Sequence, residues 1–186
     1  MLLLRPAAPK PAPTDLAPFD PAARGVWAWS QPGRFRPEWN LTANGALVAT
    51  LAIRGTFLGD GEIRFAHGAW TLKPKFPGDI VVTAPDTGAS IARYRLGWFA
   101  GGRIEREGRD TLLWRREDFW RMHWGLFTSD KLPLVHLRPS VAAFRIRREC
   151  AVELEDAARR LDDLPLLLGL GWYLALRTQH SHGGGV

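Results

Sequence analysis

Asp163–Arg177 reads DLPLLLGLGWYLALR, and the fold turns on how this stretch is covered. From Leu164 to Leu176 there is no charged residue, while Asp162 and Asp163 precede the run and Arg177 follows it. Acids at the start and a base at the end complement a helix macrodipole. Pro165 fits the first turn, where a missing N–H is tolerated. The apolar residues run all round the helix, so it must be enclosed or embedded in a membrane. Thirteen residues at a rise of about 1.5 Å give roughly 20 Å, short of the ~30 Å hydrocarbon core of a bilayer. A helix of about residues 164–177 enclosed by protein is therefore expected. Leu166, Leu167, Gly169, Leu170, Gly171, Trp172 and Leu174 form its core. The two glycines lower helix propensity by roughly 1 kcal/mol each, which points to close approach of surrounding side chains.

The chain before the helix supplies the cover. It has 186 residues, 46% of them hydrophobic, enough for one globular domain with a sizeable core. Residues 1–24 hold six prolines among alanines and read as an extended arm or linker. Either they form a loose tail, the expectation for a terminus, or they dock on the domain or on a partner. Residues 25–178 read as a single domain and 179–186 as a flexible tail. From Gly25 to about Leu154 turn signals recur at roughly 8–12 residue intervals, as in a sandwich or barrel. Asn44-Gly45, Gly59-Asp60-Gly61, His67-Gly68, Pro77-Gly78, Pro85–Gly88, Gly101-Gly102, Glu107-Gly108 and Thr128–Asp130 punctuate the chain.

Between these breaks, apolar and polar residues alternate. Leu47, Ala49, Leu51 and Ile53 share one face, and Ile91, Arg93 and Arg95 oppose Ala92, Tyr94 and Leu96. Strand-like patterns also cover Phe119–Phe127 and Val141–Leu154. Half-buried antiparallel strands give this pattern. Asp156–Leu161 reads as a short helical turn capped by Asp156. An open sheet covers one side of a helix; a closed barrel surrounds it and removes exposed edges. The expected fold is mainly β, a closed antiparallel β-barrel of short hairpin strands around a hydrophobic C-terminal helix.

Serial hairpins such as Ala46–Arg54 with Glu62–Phe65, the Ala89–Ala92 strand after Thr87-Gly88, and the Leu164–Leu174 helix together resemble the tubby C-terminal-like superfamily. That group comprises tubby-like domains, phospholipid scramblases and LURP-one-related proteins, with many uncharacterised bacterial members. The resemblance covers residues 41–177. It implies a closed barrel threaded by a hydrophobic helix, and no shared catalytic chemistry. The lysine–arginine motif through which tubby domains bind phosphoinositides does not map onto this sequence. The single Cys150 does not match the palmitoylated cysteine clusters of scramblases.

No catalytic constellation is visible. His67, His123 and His136 lie on separate segments without HxH or HExxH spacing, and His180/His182 form only a two-ligand pair in the tail. No serine stands in a GxSxG context. Glu117 and Asp118 point to opposite faces of a strand and make a poor acid–base pair. The glycine pairs lack phosphate-loop spacing. Cys150 reads as a small buried hydrophobe, and a lone cysteine favours a reducing compartment. No cofactor is expected.

The net charge is +6 and the pI about 10.2. Arginine-rich segments with interleaved tryptophans carry this excess. Arg93, Arg95, Arg103, Arg115, Arg121, Arg145 and Arg147 form a candidate face for an anionic ligand, with Arg106, Arg116 and Arg148 nearby. Arginine with tryptophan suits anionic headgroups at a membrane surface, or stacked single-stranded nucleic acid. Interspersed acids favour a mixed solvated surface instead, with arginine stems screening aromatic rings. The expected role is a non-catalytic interaction domain, cytoplasmic or peripheral at an anionic membrane surface, or bound to a protein partner. A small-molecule-binding barrel is the alternative, and nucleic acid is the weakest of the three.

Overall fold

The computed structural model describes residues 16–33, 37–55, 59–97, 101–118, 122–140 and 149–183. The expected Phe119–Trp124 alternation falls partly outside them, and Arg121, Phe144, Arg145, Arg147 and Arg148 fall wholly outside. Twelve strands precede one helix. They are β1 (Trp27–Ser30), β2 (Glu38–Ala43), β3 (Ala46–Ile53), β4 (Gly61–Phe65), β5 (Gly68–Lys75) and β6 (Asp79–Thr83). Then come β7 (Ser90–Leu96), β8 (Gly102–Arg106), β9 (Arg109–Asp118), β10 (His123–Phe127), β11 (Pro133–Pro139) and β12 (Glu149–Leu154). Helix α1 spans Leu164–Gly183.

Each strand pairs antiparallel with its neighbours in sequence, and β1 pairs with β12 to close the barrel. The closing register sets Trp27 opposite Val152 and Trp29 opposite Cys150. Burial alternates along the strands as a period of two demands, for example in β2 and β4. The β2–β3 hairpin turns on Asn44 and Gly45, with φ of 51° and 84°. Two successive positive φ values give the turn whose twist matches the flanking strands, and Asn-Gly is its preferred sequence.

Helix α1 fills the barrel. Every residue from Leu166 to Leu176 is buried, including Gly169, Gly171 and Trp172. Trp172 stacks on Trp29 of β1 at 6.5 Å between ring centroids. On β9 and β10, Trp114 and Trp124 stack at 5.3 Å with their planes 2° apart. A Cβ on Gly169 would stand 2.5–2.8 Å from three Ile63 side-chain atoms. No methyl group fits there without displacing Ile63, which is the physical reason for glycine at this position. Tyr173 donates from its hydroxyl to the Gly59 carbonyl at 2.6 Å, tying the helix to the β3–β4 connection.

Several boundaries differ from the sequence expectation. The helix continues to Gly183, so the tail expected from residue 179 begins as helix. No proline or glycine interrupts Thr178–His182, and Thr178 donates from its hydroxyl to the Leu174 carbonyl at 3.0 Å. The turn before the helix is a 3₁₀ turn, Ala158–Arg160, whose N-cap is Ala157 rather than Asp156. Of the strand expected over Phe119–Phe127, His123–Phe127 forms β10, and residues 119–121 lie outside the described residues. Met122 has φ 59°, which breaks the extended run just before β10.

The proline-rich segment also departs from a loose tail over its last part. Ala17 N donates to Leu47 O at 2.8 Å, and Phe19 packs edge-on against Trp27 and Phe65. Arg159 donates to the Pro21 and Ala23 carbonyls at 2.7 and 3.0 Å. Residues 16–24 therefore dock at the barrel end where α1 begins.

Candidate anionic-ligand face

The pleat decides which arginines reach water. On β7, buried Ala92 and Tyr94 alternate with Arg93 and Arg95. On β8, Arg103 precedes buried Ile104, and on β9 Arg115 follows buried Trp114. Four of the seven expected face residues thus stand on the outside of three adjacent strands. The other three, Arg121, Arg145 and Arg147, lie outside the described residues.

Alternation turns their neighbours the other way. Arg106 and Arg116, grouped with the outer arginines in the sequence, point inward near the barrel ends. The Arg116 guanidinium sits 5.9 Å from the Trp124 ring centroid and bonds the Met122 sulfur. The Arg106 side chain is only 5% exposed and reaches Asp163 at the start of α1.

The outer arginines are not equivalent. Arg93 bonds Asp79 at 3.2 and 3.0 Å. Arg95 bonds Glu105 at 2.8 and 2.9 Å, which raises its pKa further above the usual guanidinium value. Arg95 also stands directly opposite Arg103 in the sheet register. Like charges so placed repel, and Glu105 compensates only the first. Arg103 is exposed and has no ion-pair partner among the described residues. Arg115 has no acid either; its guanidinium lies 6.0 Å from the Phe127 ring. Gly125 makes room for that ring, since a Cβ there would meet Phe127 at 2.6 Å.

Lys73 and Lys75 extend the row on the outer face of β5. Three acids, Asp79, Glu105 and Glu117, therefore stand among six cations: Lys73, Lys75, Arg93, Arg95, Arg103 and Arg115. The excess is positive.

Beside this row lie two exposed apolar side chains: Phe76, which sequence reading did not single out, and Leu96, which alternation sets with the buried Ala92 and Tyr94. Phe76, at the tip of the β5–β6 hairpin, is 99% exposed. Leu96, at the end of β7, is 50% exposed and packs over Gly78 of that hairpin. The signal for Phe76 was its place, an aromatic residue immediately before the Pro77-Gly78 turn. A tip residue has no strand facing it across the barrel.

Of the remaining sequence candidates, His136, His123 and Cys150 are held by neighbouring groups, and His67 lines a pocket at the other end of the barrel. His136 Nδ1 lies 2.6 Å from Glu117 Oε1 and its Nε2 3.4 Å from Glu155, on the outer surface. His123 Nδ1 is 3.4 Å from an Arg138 nitrogen. Cys150 is buried, and burial pushes its thiol well above its ordinary pKa. Among the described residues no group of three histidines, cysteines or acids is placed to hold a metal, and no helix is long and apolar enough to cross a membrane. Comparison with protein-family models, curated proteins and solved structures returns no match to this chain.

Proposed function

We propose that this chain is a non-catalytic binding barrel of tubby-like type that docks on an anionic membrane surface, from the cytoplasmic side. The observation that carries the reading is the fully exposed Phe76 beside Lys75 and Arg103, cations without acid partners among the described residues, at one end of the barrel. A phenyl ring held in water on a hairpin tip gains by entering an apolar interface. Basic side chains near an anionic leaflet contribute on the order of 1 kcal/mol each and lose it to salt screening. The row on β5 and β7–β9 and the rim formed by Phe76 and Leu96 supply both terms at once. A protein partner or a single strand of nucleic acid would use the cations but has less use for an isolated apolar tip.

Vesicle flotation tests the reading. The protein is expected to float with phosphatidylserine-containing vesicles at low salt and to be released as salt rises. Arg103→Glu combined with Arg115→Glu should abolish flotation, and pure phosphatidylcholine should give little. Indifference to anionic lipid at low salt would sink the proposal.

A small-molecule site inside the barrel is disfavoured because α1 occupies that space, with Gly169 against Ile63 and Gly171 against Trp114.

A further inference from the structure

We infer that the opposite end of the barrel carries a second, independent site: a pocket for a small aromatic carboxylate. Its volume is about 360 Å³. That lies toward the lower end of the roughly 300–1,000 Å³ of ligand pockets, so the occupant has one or two rings.

Three distant parts of the chain build it. Phe19 comes from the docked N-terminal segment, Phe65 and Trp70 from the two strands of the β4–β5 hairpin, and Arg160, Leu161 and Pro165 from the approach to α1. The walls are fixed. Phe65 meets Phe19 edge-on at 5.5 Å and Trp70 at 5.8 Å. Arg159 is consumed by the Pro21 and Ala23 carbonyls and so holds the Phe19 wall in place.

The chemistry follows from what these groups leave open. Phe19 and Trp70, half-buried on either side of the buried Phe65, offer ring surface to a further aromatic ring. Arg160 is exposed at the mouth and has no partner among the described residues. A guanidinium binds a carboxylate through two parallel N–H···O bonds. The one acid in the lining, Asp162, already has Arg109 at 3.5 Å to offset its charge. An amine would meet Arg159 and Arg160, with His67 the remaining titratable group in the lining. A flat ring with its carboxylate toward Arg160 meets both the aromatic wall and the open guanidinium.

Calorimetric titration with naphthoate, and with the uncharged naphthamide, tests this on the full chain. Naphthoate is expected to bind saturably at one site per chain, and naphthamide about tenfold more weakly, the loss of one charge-assisted contact. Arg160→Glu should weaken naphthoate by at least about tenfold, with an unchanged melting curve because the side chain is on the surface. Arg160→Gln serves as a second variant if the first does not fold. Phe76→Ser should leave naphthoate binding intact, which separates this site from the membrane-facing rim. No saturable binding, or binding indifferent to Arg160, overturns the inference.

Discussion

Arg106 and Asp163 join the barrel wall to the start of the central helix: one guanidinium nitrogen lies 3.1 and 3.0 Å from the two carboxylate oxygens. The side chains are 5% and 19% exposed, and the same guanidinium also donates to the Asp110 carbonyl. Arg109 joins from outside at 3.2 Å but is 41% exposed. The carboxylate also stands at the positive end of the helix dipole.

Removing Asp163 leaves the buried Arg106 without a carboxylate, and removing Arg106 leaves Asp163 with only the half-exposed Arg109, at a cost of up to about 3–5 kcal/mol. Arg106→Met and Asp163→Ala should each lower the urea midpoint strongly. Arg109→Ala should cost under about 1 kcal/mol, as exposed ion pairs do. Equal effects from Arg106→Met and Arg109→Ala would refute the distinction.

Gly169 and Gly171 should respond differently to the same substitution. Gly169→Ala drives a methyl into Ile63 and should cost about 1–3 kcal/mol. Gly169→Leu should unfold the domain. Gly171→Ala meets Trp114 only at 3.2 Å, and its gain in helix propensity of about 1 kcal/mol offsets a small shift. Ile63→Ala should partly rescue Gly169→Ala, giving a double mutant more stable than the sum of the singles. Thermal melts of the four variants settle this.

Alkaline pH should unfold the protein in two stages. Burial holds the Cys150 thiol above its ordinary pKa of 9.0. Burial, then the Asp79 charge, raises the Tyr94 phenol above 10.0; burial also raises Tyr173. These groups stay protonated in the fold while the unfolded chain releases their protons. Their contribution is complete below about pH 9 and is lost as pH rises toward the folded-state values, by at most about 1.4 kcal/mol per pH unit for each group. Cys150→Ala should flatten the first part of the decline, and Tyr94→Phe the part above about pH 10. Denaturant midpoints measured across this range check both; parallel curves for wild type and variants would contradict the assignment.

The barrel and its enclosed helix were legible because an apolar helix shorter than a bilayer needs cover on every side, and alternating strands supply it. Period-two alternation also set Arg93 and Arg95 on one face, opposite Ala92 and Tyr94. It could not tell that Arg93 meets Asp79 while Arg103 meets no acid, because that depends on register between strands. Nor did it show Arg106 and Arg116 pointing inward, since barrel ends admit charge where the middle does not. Phe76 escaped notice because a strand pattern carries no information about a hairpin tip. The extra helical turns to Gly183 were missed because polar residues were read as tail where no breaker stands.

The docking proposal is tested most directly at Phe76. Cys150 is buried, so Phe76→Cys adds one accessible thiol for an environment-sensitive fluorophore, and Val26→Cys does the same at the opposite end, where Val26 is also exposed. The account predicts a blue-shifted, brighter emission from the label at 76 when phosphatidylserine-containing vesicles are added, and no change from the label at 26. An unchanged signal at 76, or equal changes at both ends, would contradict it.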